Sequence, residues 1–177
     1  PYGDKGALDD SIQAASGVAV LQSMVEGEPR YLPTIIADKT TGQIVVQAVL
    51  AALFHRERTG EGQSVEVPMF ESMVSFVMTE HLWGKTFDPP LGEAGYVRLM
   101  ASHRRPYKTR DEKYLAVLPY WDNHWRNFCE IAGRPELAED KRFIDMATRL
   151  KNINESYQVT GEIIASKDRD EWLALLG

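Results

Sequence analysis

Apolar positions follow three different rhythms along this chain. Ile12, Ala14, Ala15 and Val18 come after Asp9, Asp10 and Ser11, which predicts a short helix with an acidic first turn that closes near Gly17. Residues 18–21 fit either a continuation of that helix or a strand. Residues 2–6 read as a turn-rich entry, 26–29 as a loop, and 31–36 as an extended approach to Asp38. Residues 41–58 then predict a helix in which Ile44, Val45, Val46, Val49, Leu50, Leu53 and Phe54 leave almost no polar face. Such a helix is expected to be buried on most sides, by its own domain or by a partner chain. Arg56 and Arg58 fall in its last turn, where cations complement the helix dipole.

Residues 59–63 form a glycine-rich turn, and 64–67 alternate as a strand does. A methionine-rich helix follows over 69–82, with Met69, Phe70, Met73, Val77 and Met78. Methionines of this kind fill cores; a ligand-facing one is the alternative. Periodicity stops between Gly84 and Gly95, around Pro89-Pro90 and Gly92, which marks a change of domain. Beyond it, 105–109 and 113–118 predict a hairpin around residues 110–112. Helices are expected over 121–132, with Asp122 as cap and Gly133 as stop, and over 144–152, 153–165 and 167–176. Residues 135–137 form a short turn. The last helix carries Asp168 or Asp170 near its start and Trp172, Leu173, Leu175 and Leu176 as its apolar face. No internal repeat or low-complexity segment is present.

Composition narrows the function classes. The 177 residues, 44% hydrophobic and 26% charged, suit one ordinary domain or two small ones. A net charge of −6 argues against a general nucleic-acid binder, which needs a basic face. It leaves room for a small anionic ligand. Cys129 stands alone, so no intrachain disulfide and no cysteine metal site is expected, in keeping with a reducing, cytoplasmic setting. No apolar run reaches membrane-spanning length and no signal peptide is present, so no membrane is expected as partner. Pro1 and the end at Gly177 both read as interior to a longer protein.

The candidate chemistry is sparse. His55, His81, His103 and His124 lack metal-ligand spacing, so no metal is expected. There is no serine elbow, no phosphate-binding loop and no dinucleotide fingerprint. His103, Arg104 and Arg105 make a basic cluster, either a solvated strand edge or a contact for an anion or partner. What remains is Asp38, a single carboxylate placed at or just before a helix N-terminus. It reads as a helix cap or as a nucleophile, and the two roles are compatible. A carboxylate can attack a thioester carbonyl, and N–H groups of a helix start could hold the developing oxyanion.

Several ordered motifs carry a resemblance. They are Leu8-x-x-x-Ile12-Gln13-Ala14-x-x-Gly17, then Ala37-Asp38-Lys39-Thr40-Thr41-Gly42, then ALFHRERTGEGQSVEVPMFE from Ala52 to Glu71. RPYKTRD from Arg105 and HWRNFCEIAGRPEL from His124 follow. Together they resemble the class III CoA-transferase family, also called CaiB/BaiF, which includes formyl-CoA transferase, carnitine CoA-transferase and alpha-methylacyl-CoA racemase. The resemblance implies an α/β fold: part of a Rossmann-type large domain followed by a small α+β domain, in an interlocked homodimer. Residues 1–75 would then be an interior part of the large CoA-binding domain, 76–95 a linker and 96–177 the small domain. It further implies Asp38 as catalytic nucleophile, passing through aspartyl-anhydride and aspartyl-CoA intermediates, and Met69 as a contact near the CoA thiol. Coenzyme A would enter as a thioester substrate, with no tightly bound cofactor; an acyl-CoA and a carboxylic acid would be the partners.

Departures from the family pattern sort its branches. Leu8 stands where the pattern has tyrosine, and no histidine flanks it to serve as half of a racemase acid/base pair. Residues 91–102 contain only Gly92 and Gly95, where formyl-CoA transferase has a glycine run. CoA transfer to a carboxylate other than oxalate or formate is the expected activity. An acyl-CoA isomerase and an inactive dimerisation piece are the alternatives.

Overall fold

Asp9 opens the first helix of the computed structural model, α1 (Asp9–Ala15), which buries Ile12 and Gln13. The structure describes residues 5–176; most of the turn-rich entry expected over residues 2–6, and Gly177, lie outside them. Gly17 takes φ +90°, a left-handed conformation that any β-carbon would oppose, and reverses the chain into α2 (Val18–Glu26). Residues 18–21 are therefore helical, not a strand.

Residues 31–35 form a tight turn instead of an extended approach, with the Thr34 N–H donating to the Leu32 carbonyl and the Ile36 N–H to the Thr34 carbonyl. That turn starts α3 (Ile36–Thr59) five residues earlier than periodicity predicts. The helix ends at Gly60, whose φ of +77° and N–H to the Arg56 carbonyl close it as a left-handed cap. Residues 61–68 have no strand, because no neighbouring strand among the described residues supplies a ladder. After Pro68 comes α4 (Met69–His81), which buries Met73, Val77 and His81, a stripe at four-residue spacing.

Ile12, Val18, Ala37, Met73 and Val77 form the core here, with Leu21, Leu32, Ile36, Met69 and Phe70 packed against it. Only the first turns of α3 join it. Val46, Leu50 and Phe54 remain 53%, 61% and 63% exposed. The expectation that α3 would be buried on most sides is thus not met within its own unit.

The chain divides into two units, Pro1–Tyr96 and Val97–Gly177. Residues 84–95 fold back within the first. Leu91 N–H reaches the Gly84 carbonyl, Gly95 N–H the His81 carbonyl, and Trp83 stacks on Tyr96 at 4.5 Å. Gly84 and Gly92 pass so closely that a β-carbon on Gly84 would sit 2.5 Å from Gly92 backbone.

In the second unit β1 (Tyr107–Lys108) pairs antiparallel with β2 (Tyr114–Leu115), Tyr107 opposite Leu115. The Asp111 carboxylate braces the turn, accepting from Thr109 Oγ1 at 2.6 Å and from the Arg169 N–H at 3.0 Å. The helices α5 (Asp122–Ile131), α6 (Met146–Lys151), α7 (Ile153–Ile164) and α8 (Arg169–Leu176) follow, with a 3-10 turn at Pro135–Ala138. Trp125, Phe128, Cys129, Phe143, Ile164 and Trp172 are the centre of their core.

Two expectations fail. Asp122 does not cap α5; its carboxylate accepts from Arg149 Nη2 at 2.5 Å, a buried guanidinium that needs the charge more than the helix start does. Of the supposed apolar face of α8 only Trp172 turns inward, while Leu173 and Leu175 are exposed. An unforeseen cap appears at Asp145, which forms a capping box with Thr148 at the start of α6.

The two-stranded antiparallel sheet is the only sheet among the described residues. The architecture is accordingly mixed and helix-rich, and the open parallel sheet of a Rossmann-type domain is not among these elements. No helix among the described residues is long and apolar enough to cross a membrane.

Candidate active site

Asp38 is the third residue of α3 and is exposed. It is not the cap. The cap is Asp9, from the start of α1: its Oδ1 accepts the N–H of Ala37 at 2.7 Å and that of Asp38 at 3.2 Å. Gln13, one turn on and 1% exposed, completes a clamp. Its Nε2 donates to Asp9 Oδ2 at 2.6 Å and to the Thr34 carbonyl at 3.3 Å, and its Oε1 accepts the Leu32 N–H at 2.9 Å. One carboxylate and one amide on α1 therefore set the turn at residues 32–35 and the start of α3 together.

Burial opposes ionisation of Asp9. The Gln13 bond, the Asp38 and Ala37 N–H groups and the Lys39 charge outweigh it and hold the carboxyl below its ordinary value. The positive end of α3 favours the same ionised form.

This arrangement corrects one expectation about the site. Every N–H in the first turn of α3 has an acceptor: Ile36 to the Thr34 carbonyl, Ala37 and Asp38 to Asp9, and Lys39 to the Ile35 carbonyl. None is left to hold an oxyanion. The side chain of Asp38, by contrast, has no hydrogen bond or ion pair among the described residues, and Lys39 Nζ turns instead to Thr34 Oγ1 at 2.7 Å. Relieved of capping, the Asp38 carboxylate is open to solvent at a helix start held by hydrogen bonds to α1. Directly behind it Ala37 is fully buried, and one turn on Thr41 is buried with its hydroxyl unpaired among the described residues.

Met69 is the first residue of α4, partly buried against the same core that holds Ala37. With Ser11, Ile12, Ala15 and Phe70 it lines a cavity of about 310 Å³. The structure therefore places Asp38 and Met69 on two helices that share one packed cluster. The His103-Arg104-Arg105 cluster lies in the second unit, beside the hairpin. Cys129 is no rival nucleophile, since burial pushes its thiol up to about 11. Among the described residues no group of histidine, cysteine or carboxylate side chains is arranged to hold a metal.

Asp9 and Gln13 are the residues that sequence reasoning missed. Their signal was their spacing of four on one short helix, which puts both on a single face.

Comparison with known proteins gives this geometry a context. The model of CoA-transferase family III matches residues 1–177. The probable fatty acyl-CoA transferase Rv3272 of Mycobacterium tuberculosis is 31% identical over 99% of this chain and 47% of its own length. Its crystal structure matches with a TM-score of 0.78, covering 99% of this chain and 46% of that one. A succinyl-CoA:mesaconate CoA-transferase of Haloarcula hispanica is 30% identical over 96% of this chain and 42% of its own. An acetyl-CoA:oxalate CoA-transferase of Acetobacter aceti is 25% identical over 99% and 45%. The chain thus spans less than half the length of these relatives. The helix-rich architecture is similar to that of the solved structure, the family model covers the sequence from end to end, and the chain belongs to CoA-transferase family III.

Proposed function

We propose that this chain carries the nucleophile of an acyl-CoA:carboxylate CoA-transferase, and that the nucleophile is Asp38. The observation that carries the reading is the division of labour at the start of α3. Asp9 takes the capping role, and the Asp38 carboxylate is left exposed and unpartnered among the described residues. A carboxylate in that state has both oxygens available for attack, on a backbone held by the Asp9 carboxylate.

The chemistry proceeds in balanced steps. An Asp38 oxygen adds to the thioester carbonyl of the donor, and the carbon–sulfur bond breaks to give a mixed anhydride and CoA thiolate. The thiolate attacks the aspartyl carbonyl, which releases the donor's acyl group as a carboxylate and leaves aspartyl-CoA. The acceptor carboxylate then repeats the sequence in reverse, leaving with CoA and regenerating Asp38. The proposed place of Met69 is beside the CoA thiol, where an apolar, polarizable thioether suits a sulfur leaving group.

Residues 1–75 are then an interior part of a large CoA-binding domain and 96–177 a small α+β domain, with 76–95 joining them. The Rossmann-type sheet and most contacts to the CoA nucleotide belong to the remainder of the subunit. The exposed apolar face of α3 fits a homodimeric arrangement in which a second copy covers it. Transfer is favoured over isomerisation because Leu8, at the entrance to α1, is 74% exposed and cannot carry a proton.

The test is Asp38→Asn in the full-length enzyme, assayed with a panel of acyl-CoA donors and carboxylate acceptors. The expected loss of kcat is on the order of 10³-fold or more, the scale on which removal of a covalent nucleophile acts. Transfer within about tenfold of the unaltered enzyme, about 1.4 kcal/mol of barrier, would sink the assignment.

A further inference from the structure

The start of α3 is capped from a distance although an acidic side chain stands in its own first turn. Ile35, at the cap position, makes no side-chain capping bond, and Asp38 is the acidic residue of that turn. Asp38 holds the third helical position, at the positive end of the helix dipole. From that position a capping box reaches back to the cap residue. Yet the carboxylate that caps is Asp9, 28 residues before Ala37. A second attraction is also left unused. Among the described residues Lys39 does not pair with Asp38, its neighbour in the chain, but donates its ammonium to Thr34 Oγ1 at 2.7 Å.

Both diversions trace to α1. Asp9 Oδ1 accepts the N–H groups of Ala37 and Asp38 at 2.7 and 3.2 Å. Gln13 Nε2 donates to Asp9 Oδ2 at 2.6 Å, and at 3.3 Å to the carbonyl of Thr34, the residue that engages Lys39. Gln13 is buried, so its polar atoms have no water to turn to if these bonds are lost. Capping α3 requires only an acceptor near its first N–H groups. Recruiting that acceptor from another helix has the added consequence that the local carboxylate stays free.

We infer that Asp9 and Gln13 are positioning residues for the transfer reaction: they occupy the start of α3 and, through Thr34, engage Lys39, and so keep the Asp38 carboxylate from capping its own helix. The inference rests on the reading of Asp38 as nucleophile. Without Asp9 the N–H groups of Ala37 and Asp38 lose their acceptor, and Asp38 is the acidic side chain on the same turn that can replace it. A carboxylate folded onto its own backbone is withdrawn from the thioester, and a misplacement of about 1 Å can cost about 100-fold in rate. The Asp9 side chain acts on the nucleophile and not on the donor, so the loss falls on kcat and not on KM.

The experiment compares the full-length enzyme with Asp9→Ala, Asp9→Asn, Asp9→Ser, Asp38→Asn and, as a control for charge on the same turn of α1, Asp10→Ala. Two readouts are taken: kcat and KM for an acyl-CoA donor that the unaltered enzyme uses, and the rate at which a carbodiimide couples glycine ethyl ester to Asp38 in the free enzyme, followed by peptide mass spectrometry. Asp9→Ala is expected to lower kcat at least tenfold with KM within about threefold, and to slow labelling of Asp38 at least fivefold, on the scale set by misplacing a reacting group. Asp9→Asn keeps an oxygen for the two N–H groups and is expected to restore both readouts to within about threefold of the unaltered enzyme. Asp9→Ser is expected to lie between them, and keeps the test open if Asp9→Ala does not fold. Asp10→Ala is expected to change neither readout. Unchanged kcat or unchanged labelling of Asp38 in the Asp9 variants, or an equal loss in Asp10→Ala, would overturn the inference. An active Asp38→Asn would overturn the nucleophile reading and this inference with it; an inactive Asp38→Asn beside a fully active Asp9→Ala would overturn this inference alone.

Discussion

The two units handle their apolar residues in opposite ways. The second unit encloses Trp125, Phe128, Phe143 and Trp172 at 0–3% exposure and satisfies even the polar atoms among them: Trp172 Nε1 donates to the Ile164 carbonyl at 2.8 Å, and Trp125 Nε1 to the Leu137 carbonyl at 3.3 Å. The first unit has the longest helix among the described residues, α3, with apolar side chains facing several directions, yet its core reaches only the first turns of that helix. Hydrophobic content therefore does not measure how much a unit buries on its own. A helix that is apolar on all sides indicates how many neighbours it needs, not where they come from. Its first turn is anchored by polar contacts from α1, and the remainder presents a surface for something else to cover.

Three substitutions would break or sharpen that contrast. The largest effect is expected for Trp172→Ala, which empties a fully buried site in the self-contained unit. A loss of about 3–5 kcal/mol is expected from the removed contacts and the residual cavity, measured by urea denaturation of the full chain.

Asp9→Ala is expected to be milder, about 1–2 kcal/mol, the scale of a lost helix cap. Its effect should be concentrated at one place: faster hydrogen exchange at the amides of Ala37 and Asp38, with the exchange of α4 amides little changed. The clamp should also respond to acid. The folded-state pKa of Asp9 lies below its reference of 3.8, so its contribution is complete above that pH and is lost as pH falls below 3.8 toward the folded value. Exchange at Ala37 and Asp38 that ignores both the substitution and the acid would mean that Asp9 does not hold the start of α3.

The smallest change in the stability of a single chain is expected for Phe54→Ser on the open face of α3, within about 0.5 kcal/mol because little packing is lost. Its effect should appear in association instead. Sedimentation of the full-length enzyme is expected to shift toward smaller species, and an unchanged profile would remove this face from any interface.

Much of this was legible in the residues, for local reasons. Gly17, Gly60 and Gly133 mark the ends of helical segments, because positive φ is a local demand. The hairpin was visible from its two β-rich runs and their polar turn. What escaped were choices made by distant partners. Asp38 and Asp122 both stand where a cap is expected, and both were outcompeted by contacts far away in sequence: Asp9 is 28 residues before Ala37, and Arg149 is 27 after Asp122. Alternation over 64–67 signalled a strand, but a strand exists only with a neighbour, and none is among the described residues. The proposed nucleophile, Asp38, stands out in the sequence through its motif. Its freedom from structural duty was not legible there, since that depended on Asp9 being in place.

The most direct test of the central claim is to trap the covalent intermediate. The full-length enzyme is mixed with an acyl-CoA donor and no acceptor, quenched, digested and examined by mass spectrometry. The account predicts a CoA thioester, or its hydroxylamine-derived hydroxamate, on the peptide containing Asp38 and on no other, and its absence in Asp38→Asn. A modification on any other carboxylate, or an unmodified Asp38 peptide in an enzyme that is turning over, would contradict it.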